Sequence, residues 1–88
     1  MVEREVAIIN KWGIHARPAA QLAQRASKFK AEIKLRRLNL EVNAKSIMGV
    51  LMLAAEMGSK IIIIAEGPDE NEALQAIADV IQSKFGEE

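Results

Sequence analysis

Residues 31–43, Ala-Glu-Ile-Lys-Leu-Arg-Arg-Leu-Asn-Leu-Glu-Val-Asn, decide the fold. From Ala31 to Arg36 the residues alternate, with Ile33 and Leu35 on one face and Glu32, Lys34 and Arg36 on the other. A period of two belongs to a half-buried strand. Arg37–Asn39 reads as a turn and Leu40–Asn43 as a short returning strand, so the segment is a hairpin. A hairpin with one apolar face needs a layer to cover that face.

The flanking sequence supplies the cover. Upstream, Val2–Asn10 alternates, with Val6 and Ile8 on one face and Ala7 and Ile9 on the other, and Gly13 then breaks the chain. From Ala16 onward, Ala19, Ala20, Ala23 and Ala26 recur at helical spacing, with Gln24, Arg25 and Lys28 outside. Downstream, Ser46 starts a second helix, apolar through Ala55, with a core stripe of Val50, Leu51 and Ala54; Gly58 stops it. Lys60–Glu66 contains Ile61–Ile64, a β-branched run suited to an interior strand. Gly67-Pro68-Asp69 turns the chain, and Asp69 is placed to cap a last helix with the stripe Ala73, Leu74, Ile77, Ile81 and Phe85. The order β-α-β-β-α-β-α predicts an α+β open-faced sandwich, a four-stranded antiparallel sheet with three helices on one face, as one domain over residues 1–88.

Composition removes several function classes. The chain has no Cys, which excludes disulfide frameworks, thiolate metal sites and cysteine nucleophiles. The longest apolar run, Val50–Ala55, is far short of the ~20 residues a spanning helix needs. Glu3, Arg4 and Glu5 leave no apolar leader at the N-terminus, so the expected location is the cytoplasm, without membrane insertion. Net charge is zero, and Phe29, Phe85 and Trp12 are the only aromatics. That argues against a nucleic-acid partner, which would need basic patches and stacking platforms. The charges are segregated all the same: residues 1–45 hold ten Lys/Arg against four Glu, and residues 46–88 hold two Lys against eight Asp/Glu. Such polarity suits steering of a charged protein partner.

The chemistry concentrates at Gly13-Ile14-His15-Ala16-Arg17-Pro18, which holds the only His. First-turn N–H groups of a helix lack intrahelical partners and face a positive dipole end, so a phosphoryl group on His15 would find donors at Ala16–Pro18. Arg17 can offer paired N–H donors, and Pro18 suits a first turn. Spacing alone also allows His15 as a simple helix cap beside a solvated Arg17. No second His or carboxylate stands at metal spacing nearby, so neither a metal nor a cofactor is expected.

Gly13-Ile14-His15-Ala16-Arg17-Pro18-Ala19 resembles the active-site signature of the HPr family, the histidine phosphocarriers of the bacterial phosphotransferase system. Val42–Val50 resembles that family's regulatory-serine segment, and Ala65–Glu70 its turn into the last helix. The resemblance implies that Enzyme I, charged by phosphoenolpyruvate, phosphorylates His15 on Nδ1, and that an Enzyme IIA domain then receives the phosphoryl group. Arg17 would be the phosphate's electrostatic partner. The chain would be a monomeric covalent intermediate and not an enzyme. Trp12 departs from the small polar residue common in sugar-transport members. Asn10–Gly13, Val50–Ala55 and Lys84–Glu88 look closer to NPr, the carrier of the nitrogen-related branch, whereas Pro18 is the HPr-like choice. A regulatory binding protein, NPr-like or a corepressor that acts by contact alone, is therefore the alternative.

Ser46 is a good N-cap, worth about 1 kcal/mol. The resemblance adds phosphorylation by an HPr kinase/phosphorylase, which would place about two negative charges beside an apolar surface. A short helix on a two-layer domain cannot bury both sides, so Ile47, Met48, Leu51 and Met52 are expected to dock partners. On the helix-free face, Ile62 and Ile64 should lie beside Ala7 and Ile9 in an apolar strip. Either the stems of Lys34 and Arg36 cover that strip, or it drives self-association.

Overall fold

The computed structural model describes residues 1–86; Glu87 and Glu88, the last two residues of the expected domain and of the NPr-like ending, lie outside them. In chain order the elements are β1 (Val2–Ala7), α1 (Ala16–Ala26), β2 (Glu32–Arg37), β3 (Leu40–Asn43), α2 (Ile47–Met52), β4 (Lys60–Glu66) and α3 (Glu70–Gln82), followed by a 3-10 turn, Lys84–Gly86. The strands form one sheet in the order β1-β4-β2-β3, and every neighbouring pair is antiparallel. The expected element order and open-faced α+β architecture are both present.

Alternation sets the inner face. Val6, Ile33, Leu35, Ile61 and Ile63 are buried in one cluster with Leu22 of α1, Val50 of α2 and Leu74, Ile77 and Ile81 of α3. The inward stripe of α1 is Pro18, Ala19, Leu22, Ala23 and Ala26, whereas Ala20 is only half-buried. The hairpin closes where Arg37 pairs with Leu40, leaving Leu38 and Asn39 to turn, with Leu38 at φ 55°.

Several boundaries differ from the sequence reading: β2 runs Glu32–Arg37, so Arg37 belongs to the strand, where it pairs with Leu40, and not to the turn. β1 stops at Ala7, because the next residues enter a turn in which the Asn10 side chain donates to the Gly13 carbonyl at 2.7 Å. Helix α2 ends near Met52, not Ala55: Ala54 swings to φ 49°, so the core takes Val50, Leu53 and Ala55 while Ala54 is exposed and Leu51 half-buried. Phe85 is buried from outside α3, since Lys84 and Phe85 both turn left-handed at φ 59° and 57°.

Asp69 occupies the N-cap position of α3 but makes no side-chain cap. Its carboxylate accepts from the backbone N–H groups of Lys30 and Ala31 at 2.9 and 2.8 Å, which ties the start of α3 to the approach to β2. These bonds, that of Lys30 foremost, hold the carboxyl below its ordinary pKa of 3.8. Glu70 instead accepts from the Gly67 N–H at 3.1 Å.

The helix-free face corrects the apolar-strip expectation. In register, Ile62 stands between Glu5 and Arg36, and Ile64 between Glu3 and Lys34. Ala7 pairs with Lys60, and Ile9 lies beyond the strand. Charged side chains therefore interrupt the strip from both sides, and Glu41 adds a contact to Lys34 at 3.5 Å. Lys34 stands beside Ile64 and Arg36 beside Ile62, the placement that the covering reading expects.

Candidate functional site

The loop between β1 and α1 is tightly fixed. Gly13 donates to the Asn10 carbonyl at 3.2 Å, and Ile14 donates to the Ala55 carbonyl at 2.8 Å. Gly13 sits at φ 67°, and a Cβ there would stand 2.5 Å from the Ala55 oxygen and 2.8 Å from Glu56 Cα. Only glycine fits that approach. The residue just before His15 is therefore seated on the backbone that follows α2.

His15 is the N-cap of α1, with extended backbone at φ −108°, ψ −165°. Its carbonyl accepts from Ala19 N–H at 3.0 Å, while its imidazole makes no capping bond to the helix and is exposed. The first turn contributes the N–H groups of Ala16 and Arg17, which precede the intrahelical ladder; Pro18 is buried and, having no N–H, shapes the turn without donating. The expected three-residue backbone cradle thus reduces to two donors. Arg17 is exposed at the same helix end. His15 and Arg17 thus stand exposed with the Ala16 and Arg17 N–H groups at the N-terminal end of an 11-residue helix, the end whose dipole favours an anion.

Ser46 caps α2, accepting from Gly49 N–H at 3.0 Å. Asn43 anchors the preceding turn, its side chain accepting from Lys45 N–H at 2.9 Å, and Lys45 Nζ donates to the Phe29 carbonyl at 2.8 Å. Ile47, Met48 and Met52 are exposed, the two methionines by 69% and 65%, whereas Leu51 packs partly against the core. A groove of about 500 Å³, lined by Ala23, Ser27, Lys28, Lys45 and Ile47, runs between α1 and the start of α2. The structure thus brings the His15 corner and the α2 surface together through α1 and the Ile14–Ala55 bond.

Sequence reasoning missed Asn10, Ala54 and Ala55, which shape the loop. An Asn three residues before a turn glycine was the available signal for the first; Ala54 and Ala55 act through backbone geometry and leave none.

These features define a class of small proteins with one exposed imidazole at a helix N-terminus on an open-faced sandwich. The family model described as "PTS HPr component phosphorylation site" matches residues 2–83. The chain is 51% identical over 88 residues to the phosphocarrier protein HPr of Treponema pallidum, covering all of both chains. It is 48% identical over 87 residues to that of Cupriavidus necator, covering 99% of this chain and 98% of the relative. A crystal structure of HPr-C-His from Thermoanaerobacter tengcongensis superposes with a TM-score of 0.96 at 51% identity, covering 100% of this chain and 99% of the other. The chain belongs to the HPr family and is a phosphocarrier protein of the phosphotransferase system. Among the described residues, no helix is long and apolar enough to cross a membrane.

Proposed function

We propose that His15 accepts a phosphoryl group on Nδ1 from the phosphohistidine of Enzyme I and passes it to a histidine of an Enzyme IIA domain. The observation that carries this reading is the exposed imidazole at the N-cap of α1, beside the Ala16 and Arg17 N–H groups. In each transfer a ring-nitrogen lone pair attacks phosphorus, one N–P bond forms and the donor's N–P bond breaks, with no redox change. The backbone donors and helix dipole stabilise the charge on the phosphoryl oxygens, and Arg17 can clamp two of them. The chain contributes the acceptor and the cradle, while its partners supply catalysis. It is a cytoplasmic intermediate that works as a monomer.

Ser46 is the regulatory position in this reading. Phosphate there would add about two negative charges at the head of the exposed Ile47, Met48 and Met52 surface, where an HPr kinase/phosphorylase would act and partners dock. Incubation with Enzyme I and labelled phosphoenolpyruvate tests the central step. Acid-labile label on the wild type, absent from His15→Ala, is expected. Stable label on the variant would overturn the assignment.

A further inference from the structure

Ile33, Leu35 and Arg37 take alternate positions of β2, so Arg37 falls on the helix-facing side that the two buried residues define. A half-buried charge at that register position needs a partner. It has one: Arg37 Nη1 donates to the Leu53 carbonyl at 3.2 Å. Leu53 is the C-cap of α2, a place where carbonyls lack an intrahelical donor. The guanidinium supplies that donor from a strand 16 residues earlier in the chain.

Two residues on, the Ala55 carbonyl accepts the Ile14 N–H at 2.8 Å. Between these two held carbonyls lies Ala54 at φ 49°, a left-handed conformation that after a helix normally falls to glycine. Its side chain is exposed, so burial of its own does not offset the strain. Burial of Leu53 and Ala55 anchors the turn to the core, and the two hydrogen bonds set the direction of its carbonyls.

Ile14 immediately precedes His15, so what fixes the Ala55 carbonyl also fixes the start of α1. We infer that Arg37 is a positioning residue for phosphoryl transfer. Through the Leu53 carbonyl it holds Ala54 left-handed, which aims the Ala55 carbonyl at Ile14 and sets where His15 stands. The inference rests on the carrier reading above and adds a residue on the sheet, outside α1 and α2. Loss of the guanidinium would release the Leu53 carbonyl to water and let Ala54 relax toward right-handed backbone. Ala54→Gly should undo that loss, because glycine takes the left-handed conformation without strain and needs no clamp to stay there.

Arg37→Met keeps an apolar stem and removes the donor. Amide hydrogen exchange read by NMR should speed up at Ile14 by about threefold to tenfold relative to the amides of α3. In steady-state phosphorylation by Enzyme I, kcat should fall about threefold to tenfold, with the KM for the carrier within about twofold of wild type. Arg37→Met combined with Ala54→Gly should recover most of both effects, and Arg37→Lys part of them. Ala54→Gly alone keeps Arg37 and does not depend on how the Arg37 variants fold; its urea midpoint should rise by roughly 0.5–1 M. With the wild type phosphorylated normally, any one of four results would overturn the inference and leave the carrier function intact: Ile14 exchange in Arg37→Met that only tracks α3, a raised KM with unchanged kcat, a double variant no better than Arg37→Met, or no rise in midpoint for Ala54→Gly. Failure of the wild type to accept phosphate at His15 would overturn both.

Discussion

Gly13→Ala is the perturbation that most directly probes how the His15 loop is seated. The new methyl would lie 2.5 Å from the Ala55 oxygen and 2.8 Å from Glu56 Cα, both backbone atoms that cannot rotate away. It would also sit at φ 67°, where an L side chain is strained by roughly 1–2 kcal/mol. Overpacking adds about 1–3 kcal/mol, for a total of about 2–5 kcal/mol. Gly58→Ala provides the control, since Gly58 has φ 94° but a methyl there would meet nothing within 4 Å. It should lose only the strain, about 1–2 kcal/mol. In urea, with a slope near 1 kcal/mol/M for so small a domain, the midpoint should fall by about 1–2 M for Gly58→Ala and about 2–5 M for Gly13→Ala. Because the methyl pushes residues 13–15 off Ala55, Gly13→Ala should also slow His15 phosphorylation, and Gly58→Ala should not. Equal urea midpoints for the two variants would refute the claim that the loop is seated by close backbone approach.

Ser46→Ala should lose the bond to Gly49 and about 1 kcal/mol, lowering the melting temperature by about 4–8 °C. Ser46→Asp should keep the cap and wild-type stability but weaken Enzyme I docking; unchanged phosphorylation kinetics would remove Ser46 from the regulatory role. Asp69 has a folded pKa held below 3.8 by the Lys30 and Ala31 amides, so its stabilisation is complete above that value and is lost as pH falls through the lower folded pKa. Acid titration followed by circular dichroism should therefore show a shallower loss of stability below pH ~4 for Asp69→Asn than for wild type, and identical slopes would contradict the clamp. Arg17→Lys keeps the charge but loses the planar fork, so transfer should slow with an unchanged melting temperature. A wild-type rate would mean that simple charge suffices.

What is legible in the sequence is what depends on near neighbours. Ile33 and Leu35 announce a half-buried strand by alternation, and both are fully inward. His15 and Ser46 stand at helix starts where caps and first-turn donors are set by a few residues, and both are found there. The errors arise where distant segments compete. Asp69 has the right identity and place for a helix cap, yet two amides 39 and 38 residues away claim its carboxylate. Ala54 and Ala55 continue an apolar run, yet the Ile14 N–H draws the chain out of the helix. The open face is misjudged from sequence because alternation says which way Ile62 points but not that Glu5 stands opposite. Register is a property of two strands together, and a one-residue or two-residue difference changes every neighbour.

The central claim is that phosphorus is carried on one particular nitrogen of His15. Nitrogen-15 labelled protein, charged by Enzyme I and phosphoenolpyruvate, can be studied by phosphorus NMR with long-range nitrogen–hydrogen correlation of the imidazole. The predicted result is a single phosphohistidine signal with the phosphorus on Nδ1 of His15, and shifted amide resonances at Ala16 and Arg17. Phosphorus on Nε2, on a serine, or with unmoved Ala16 and Arg17 amides would contradict it.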